Sequence, residues 1–372
     1  MRADVVILGM GGMGSASAFH LARAGLSVIG LERYAPGHAR CGSAGGLRGF
    51  RMAYFQDPAY VALAKQAEAL WRSLDAEFGG LFSQCGGTLV GPSQHPVIEG
   101  VQASSAAHDL AVERLSPQAQ AQCLPGLNPP FGSCVLWEPR AGILDALACD
   151  AAHREGARAA GARIFSGLPG VHVSEEEDGM CVHTPKGQVW AQWVILSPGV
   201  WFGQESLGLS CPPLQTSRQI QGDFVADSRW EECLWNCAPA GVRHSFYGHS
   251  RGDGLVTVGQ HLGGRPGLGQ EPPDLEEKGR IRDFVRAHLE GLGSPIRWRV
   301  GHSIHTPDQA PLIGTHPTHE RVLLAGGFSG HGYKFASAVG WNLSQWIQGE
   351  SDLSALSSFR PQRFTFDARA CA

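Results

Sequence analysis

Glycines close to the N-terminus have the spacing of a turn that binds phosphate. Gly9, Gly11 and Gly14 form the pattern Gly-x-Gly-x-x-Gly, with Gly12 inside it, directly after the apolar residues 5–8. The first glycine lets the chain turn out of a strand, the second lets the backbone contact a pyrophosphate, and the third lets helix and strand pack closely. The phosphates would then lie at the helix N-terminus, where free N–H groups favour negative charge.

A carboxylate follows at the position that such a site requires. Glu32 ends the next apolar run, residues 27–32. A carboxylate there can bind ribose hydroxyls and would repel a 2′-phosphate, so NADP is disfavoured. Arg33 comes directly after it and is assigned to the same site. These residues predict a site for an adenine dinucleotide, and the simpler interpretation is a glycine-rich turn without a ligand.

A second glycine-rich segment lies near the C-terminus. Gly327, Gly330 and Gly332, with His331 and Lys334, come before the last apolar helix. A reduced flavin needs an anion-stabilising group beside N1 and C2=O, and a glycine loop that opens a helix supplies one. A cofactor contacted from both ends of the chain favours FAD. An ordinary loop before a helix, and an NAD-dependent dehydrogenase, are the alternatives.

Composition limits the class of protein. The chain has 372 residues, 43% of them hydrophobic, and a net charge of -4, which argues against nucleic-acid binding. No apolar run is long enough to cross a membrane and the start does not resemble a signal peptide, so we expect a cytoplasmic protein with no membrane partner. The ten cysteines are expected to be free thiols. Neither the pair Cys233 and Cys237 nor the group His302, His305 and Asp308 has convincing ligand spacing, so no metal is expected.

The elements that must position these residues follow from hydrophobic periodicity. Strand, helix and strand over residues 3–9, 12–24 and 27–32 form a βαβ unit, which predicts an α/β fold with a Rossmann-type domain. Helices are predicted over 58–79, 142–160, 274–291 and from about 332 to 348, and a loop-like stretch from 300. A discontinuous cofactor domain (1–85, 140–205 and 300–372) would then carry an inserted substrate domain (86–139 and 206–299).

Longer motifs resemble those of the monomeric sarcosine oxidase and N-methyltryptophan oxidase family. They are Gly42-Ser43, Arg48-x-x-Arg51 with Ala53-Tyr54, Glu68-x-x-Trp71, Gly199-x-Trp201, Thr306-Pro307-Asp308 and, most specific, Gly327-Phe328-Ser329-Gly330-His331-Gly332-Tyr333-Lys334-Phe335. The resemblance implies an FAD domain of the glutathione-reductase type and an α+β substrate domain on a mixed sheet. It also implies a flavoprotein oxidoreductase that acts on N-methyl amino acids.

The resemblance also assigns roles to single residues. Arg51 and Lys334 match the pair that binds the substrate carboxylate, and an arginine with a lysine suits that anion. Arg48 matches an arginine beside the flavin ring, and His261 matches an active-site histidine. Each assignment has an alternative. Arg51 could form a surface ion pair, and Lys334 could be a solvated charge. Arg48 could contact a loop or a phosphate, and His261 could be an ordinary hydrogen-bonded histidine. Further FAD contacts are assigned to Ser43, Val171, Gly199 and Trp201.

Two positions depart from the family pattern. The cysteine that binds FAD covalently in the family is replaced by Gly301, and no cysteine occurs between Cys237 and Cys371, so we expect non-covalent FAD. The lysine that activates oxygen in the family is replaced by Thr257, and no lysine lies near it. A cation beside the flavin helps O2 accept an electron, so the identity of the acceptor is open.

The sequence therefore predicts an FAD-dependent amine oxidase or dehydrogenase. We expect it to oxidise a secondary or tertiary amino acid, such as sarcosine or another N-methyl amino acid, by hydride transfer to flavin N5. The resulting imine hydrolyses, and O2 is the expected acceptor. A dehydrogenase with another acceptor and a non-catalytic flavoprotein are the alternatives. Ser303 occupies a position where family members carry an aromatic residue, so the amine itself is not identified.

Overall fold

The computed structural model describes residues 1–169, 171–202, 207–239, 245–261 and 263–366. Its strands are β1 (Arg2–Leu8), β2 (Val28–Leu31), β3 (Leu47–Phe50), β4 (Phe82–Ser83), β5 (Gly87–Pro92), β6 (Glu113–Arg114), β7 (Ser133–Glu138), β8 (Gly142–Asp145), β9 (Arg163–Phe165), β10 (His172–Glu176), β11 (Gly179–Thr184), β12 (Gly187–Leu196), β13 (Gln215–Ala226), β14 (Leu234–Cys237), β15 (Phe246–Ser250), β16 (Leu255–Gln260), β17 (Leu292–His305), β18 (Leu312–His316) and β19 (His319–Gly326). Its α-helices are α1 (Gly12–Arg23), α2 (Pro58–Phe78), α3 (Pro96–His108), α4 (Pro117–Cys123), α5 (Ala146–Ala159), α6 (Leu275–His288) and α7 (Ala336–Ile347).

The first sheet is built around the predicted βαβ unit. Its order is β10-β11-β12-β1-β2-β9, and β19, which also pairs with β18, joins it on β12. β1 runs parallel to β2 and β12, so residues from both ends and the middle of the chain meet at one sheet. Helix α1 packs on α5 and α7, and these contacts bury Ala16, Ala18 and Leu21 completely. This architecture confirms the α/β fold class.

The second sheet takes its strands from two separate parts of the chain. Its order is β17-β13-β16-β15-β14-β5-β7-β6, and it contains the parallel pair β14 and β5 among antiparallel pairs. The small sheet β3-β8-β4 is separate from both. The strands of the first sheet come from the predicted cofactor domain, and most strands of the second sheet come from the predicted substrate domain. β17, however, continues across the boundary proposed at residue 300. The division into two domains stays a prediction.

Three local predictions were wrong. Residues from 300 onward continue a strand, because apolar Ile296, Trp298 and Val300 alternate with polar residues and β17 pairs with β13 along its length. Residues 142–145 form a strand before α5, and Asp145 ends that strand by accepting hydrogen bonds from the N–H groups of the first helical turn. Helix α3 lies where the sequence predicted none, and it begins with a proline at its first position.

The cysteines also need a correction. Cys211 is disulfide-bonded, whereas the other eight described cysteines are free, as expected. A disulfide in a long chain leaves no spacing pattern in the sequence, so composition alone could not identify it.

Candidate active site

The predicted dinucleotide residues line one cleft at the carboxyl ends of β1 and β2. This cleft, of about 700 Å³ including its open mouth, contacts Gly9, Gly11, Glu32, Arg33, Val171, Gly199 and Trp201. A smaller cavity beside it shares Gly11 and Glu32 and extends to Asp150 and Arg154. In open α/β sheets, ligands bind outside the carboxyl ends of the strands. Seven of the residues assigned to the cofactor from sequence therefore lie together.

The glycines of the N-terminal turn occupy positions where a side chain would not fit, with one exception. A Cβ on Gly14 would lie 1.9 Å from the carbonyl oxygen of Gly9, and one on Gly12 would lie 2.8 Å from the ring of Tyr333. Gly9 has a φ of 92°, which side chains disfavour. A Cβ on Gly11, by contrast, would meet no atom within 4 Å, because this residue faces the cleft. The backbone at Gly11 is therefore open to a ligand.

The cleft fits FAD in its donor set. Helix α1 begins after Gly11 without a side-chain cap, so its first N–H groups are available to phosphate oxygens. The carboxylate of Glu32 accepts hydrogen bonds from the Met10 N–H at 2.8 Å and the Tyr34 N–H at 3.1 Å, which fixes it at the end of β2. Trp201 lines the same cleft, with the Arg33 guanidinium 5.1 Å from its ring centre.

Asp150 is a residue of this site that sequence reasoning missed. Its carboxylate accepts a hydrogen bond from the Ser43 hydroxyl and another, at 2.8 Å, from the Tyr333 hydroxyl. Burial raises the pKa of Asp150 to about 6, and both hydrogen bonds oppose that rise. A lone aspartate among the small apolar residues of α5 was the available signal. It joins the predicted Ser43 to the C-terminal glycine segment.

The C-terminal segment forms a tight turn before α7. Gly327, Ser329 and Gly330 have φ values of 65°, 50° and 81°, and Tyr333–Phe335 is a 3₁₀ turn that leads into the helix. His331 is held inside the turn: its Nδ1 lies 3.2 Å from the Tyr54 hydroxyl and its Nε2 lies 3.2 Å from the Gln309 carbonyl oxygen.

Lys334 is fixed without a carboxylate partner. Its Nζ donates to the Tyr54 hydroxyl at 2.7 Å and to the His331 carbonyl oxygen at 3.1 Å. Its own carbonyl oxygen accepts from Trp71 Nε1 at 2.7 Å, which anchors the turn to α2. Burial, followed by the charge of Arg51, lowers the pKa of Lys334 to about 7.

Arg51 lies near Lys334 and, like it, is half-buried. Burial lowers its pKa, whereas the nearby Glu138 carboxylate opposes that change. The carboxylate oxygens of Glu138 accept hydrogen bonds from the backbone, from the Met52 N–H at 2.6 Å and from the Ala53 N–H at 3.4 Å. Within the described ranges, neither Arg51 nor Lys334 forms an ion pair. Two cations are thus held close together with spare capacity for an anion.

Arg48 has a different environment from Arg51. Its guanidinium donates to the carbonyl oxygens of Leu47 and Ala44, at 2.7 and 2.8 Å, and to that of Gly42. These bonds tie together the loop 42–47, and Gly42 and the preceding Cys41 line the cleft. The position beside a flavin ring stays a prediction for Arg48.

Thr257 lies next to a cation that comes from another strand. Its hydroxyl donates to Asp223 Oδ1 at 2.8 Å and accepts from Arg299 Nη2 at 3.1 Å. Arg299 is also ion-paired with Asp223 at 2.6 Å. Its buried Nε has no hydrogen-bond partner among the described residues, and it lies close to the backbone of Gly45. No described lysine lies beside Thr257, but the guanidinium of Arg299 lies next to the Thr257 hydroxyl.

His261 borders the C-terminal turn. A Cβ built on Gly330 would lie 3.3 Å from His261 Cε1 and 3.8 Å from the Cβ of Ser303. Ser303 is part of a polar cluster, in which its hydroxyl and that of Ser217 lie 2.8 and 2.7 Å from His305 Nε2. The wall beside His261 is therefore polar and carries no aromatic ring at position 303.

No described helix combines the length and hydrophobicity needed to cross a membrane.

Known proteins resemble this chain over nearly its whole length. The N-methyl-L-tryptophan oxidase of Yersinia pestis (strain Pestoides F) is 29% identical over 375 residues, which cover 98% of this chain and 100% of that protein. NikD, an unusual amino acid oxidase essential for nikkomycin biosynthesis, superposes with a TM-score of 0.85 at 22% identity, over 97% of both chains. The L-proline dehydrogenase from P. horikoshii gives a TM-score of 0.84 at 20% identity, also over 97% of both chains.

The profile of one sequence family covers most of the chain. The family is described as FAD dependent oxidoreductase, and it matches residues 4–346. Together with a cleft whose donors fit a dinucleotide, this match confirms the predicted cofactor and the predicted class of enzyme. The chain belongs to the FAD-dependent oxidoreductase family.

Proposed function

We propose that this enzyme oxidises a secondary or tertiary α-amino acid, of the N-methyl amino acid type, at the carbon next to nitrogen. The observation that carries the proposal is the pair Arg51 and Lys334, which lie near each other, half-buried and without an ion-pair partner among the described residues. Leaving two cations desolvated is costly unless an anion joins them. A substrate carboxylate would satisfy both, with the planar guanidinium binding it in a bidentate manner. The similarity to an N-methyl-L-tryptophan oxidase supports the same substrate class.

The chain's residues would orient the substrate and exclude water. Hydrogen bonds to Trp71 and Tyr54 fix Lys334, and the hydrogen bond from the Met52 N–H to Glu138 fixes the segment after Arg51. The substrate carboxylate would therefore bind in one place. Bound FAD would accept a hydride from the C–H next to the amine. Holding that C–H bond in a reactive orientation is mainly a proximity effect. The amine must be neutral for its lone pair to assist, and the imine product then hydrolyses.

We assign the electron acceptor as O2. Thr257 alone would favour a dehydrogenase, because no lysine is present there. Arg299, however, brings a positive charge to the Thr257 hydroxyl, and a nearby cation stabilises the negative charge that develops on oxygen. A dehydrogenase that passes electrons to another acceptor is the second candidate.

The attachment of FAD would be non-covalent. Gly301 lies on β17, paired with Gln219, at the position where the family carries its cysteine. Cys237, the nearest described cysteine in sequence, is fully buried in the second sheet.

Removing the lysine tests the substrate site. In the Lys334→Ala variant, we expect binding of N-methyl amino acids to weaken by roughly 2–5 kcal/mol, because one of two cations is lost from the carboxylate. Anaerobic flavin reduction across N-methyl, cyclic, D- and L-amino acids measures this dependence. Lys186→Ala, at an exposed turn, is the matched control and should behave as the parent protein. An unchanged KM in Lys334→Ala would remove this residue from the site.

The pH dependence of carboxylate binding gives an independent test. Because the pKa of Lys334 is lowered to about 7, the free enzyme loses this charge as the pH rises through that value. The dissociation constant of acetate should therefore rise above pH 7, by up to about tenfold per pH unit. The perturbation of the flavin absorbance measures binding. The Lys334→Met variant should show weak binding without this dependence, and a flat profile in the parent protein would contradict the assignment.

Acid precipitation distinguishes the two modes of FAD attachment. Denaturation releases a cofactor held only by non-covalent contacts, so the yellow colour should stay in the supernatant. Colour that remains in the washed pellet would show a covalent bond and would refute this part of the proposal.

Arg299 can be tested against its neighbour on the same carboxylate. Arg297 also pairs with Asp223, at 2.7 Å, but half of its side chain is exposed. In Arg299→Gln, we expect reoxidation of the reduced flavin by O2 to slow by at least about tenfold, whereas Arg297→Gln should react like the parent protein. Stopped-flow absorbance measures both rates. Equal rates in all three proteins would contradict the role of Arg299, and slow reoxidation of the parent protein by O2 would favour the dehydrogenase.

A further inference from the structure

The hairpin of β10 and β11 carries a group of metal-binding side chains away from the cleft. The register pairs His172 with His183 and Ser174 with Cys181, and Glu176 lies two residues beyond Ser174 on the same strand. Because alternate residues of a strand share a face, these five side chains lie on one face of the hairpin. The intervening Val173 and Val182 point into the core on the other face.

Three of these side chains converge. The donor atoms of Glu176, Cys181 and His183 (carboxylate oxygen, thiol sulfur and imidazole nitrogen) all lie within 4.8 Å of one another. The Ser174 hydroxyl lies between two of them, 2.9 Å from His183 Nε2 and 3.3 Å from Glu176 Oε1. The ring of His172 is 5.6 Å from that of His183. The Ser174 hydroxyl thus connects the imidazole and the carboxylate of this group.

We propose that Glu176, Cys181 and His183 bind a divalent transition-metal ion of the zinc class. Zn²⁺ combines thiolate, imidazole and carboxylate ligands in a tetrahedral arrangement, and the soft thiolate disfavours Mg²⁺ and Ca²⁺. The Ser174 hydroxyl or a water would complete the coordination, and His172 is near enough to compete for that position. The bound ion would replace the hydrogen bonds that Ser174 now makes.

The three proposed ligands differ in solvent exposure, and the order of their exposures suits a bound ion. Cys181 is 1% exposed, His183 is half-buried and Glu176 is exposed, so the sulfur lies at the base and the carboxylate at the entrance. Cys181 is not in a disulfide, and its sulfur bears the proton of a thiol. A metal ion would displace that proton, since the thiolate is the ligand form.

The groups that sequence reasoning considered do not form such a site. His305 is hydrogen-bonded to Ser217 and Ser303, and Asp308 is ion-paired with Arg363. The proposal departs from the sequence-based expectation of no metal. That expectation relied on ligand spacing along the chain, whereas here the ligands are joined across two strands.

Cobalt(II) is a suitable probe because a thiolate gives it a charge-transfer absorption that Zn²⁺ lacks. The FAD-loaded protein is treated with a chelator, dialysed and titrated with Co²⁺, and each spectrum is corrected for the flavin of the metal-free sample. We expect one Co²⁺ per chain, a thiolate-to-cobalt band, and loss of that band when Zn²⁺ is added.

Variants of the ligands decide the assignment. Cys181→Ser should lose the band, and Glu176→Gln should keep it while binding Co²⁺ at least about tenfold more weakly. Cys123→Ser, which changes an exposed cysteine on α4, is the matched control and should titrate like the parent. The absence of a band in the parent protein, or an unchanged band in Cys181→Ser, would overturn the proposal. If Cys181→Ser does not fold, unchanged affinity in the exposed Glu176→Gln variant overturns it instead. None of these measurements depends on the amine substrate.

Discussion

The proposed carboxylate site depends on holding a lysine charge where the protein covers much of the side chain. Among the described residues, Lys334 donates hydrogen bonds to neutral groups, the Tyr54 hydroxyl and the His331 carbonyl oxygen, and the largest charge effect on it comes from another cation, Arg51. Such an arrangement is unfavourable in isolation, and the surrounding fold must stabilise it. Trp71 supplies that support from the middle of α2, which is buried against α7. The packing of α2 on the C-terminal helix therefore supports the position proposed to bind the substrate carboxylate.

The cofactor cleft and the proposed substrate-binding pair, Arg51 and Lys334, are connected through a small number of polar residues. Tyr333 donates to Asp150 beside the smaller cavity, and the next residue is Lys334. Asp150 in turn accepts from Ser43, which belongs to the loop that Arg48 holds. Displacing any of these side chains would move both ligand sites together. The two ends of the sequence thus act on one region of the protein.

The parts of the fold that were predicted correctly are those encoded by local patterns. Gly9, Gly11, Gly14 and Glu32 identified the βαβ unit and its cleft, because the turn at Gly9 and the close packing at Gly14 require glycine, and the open backbone at Gly11 and the carboxylate of Glu32 suit a dinucleotide. Thr257 was recognised as a departure, but its neighbour Arg299 was not, because the two residues meet only through the pairing of β13 with both β16 and β17. Asp150 and Glu138 were missed for the same reason: each contacts residues about a hundred positions away. Pairing between strands that are far apart in sequence decides which residues become neighbours, and the periodicity of hydrophobic residues does not reveal such pairing.

The long strand β17 has a consequence for how molecules of this protein meet in solution. It is the outermost strand of the second sheet, and apart from the isolated bridge of His305 with Phe328 no other described strand pairs with its outer side. Such borders invite a second copy to add a strand. Pro295 removes one donor from this strand, the pairing with β13 is irregular around Phe224, and the half-exposed Arg297 adds charge close to Ile296, which is 63% exposed. These features discourage a second molecule from adding a strand to the sheet. β17, which carries Arg299 toward the protein interior, can therefore remain at the edge of the sheet without promoting aggregation.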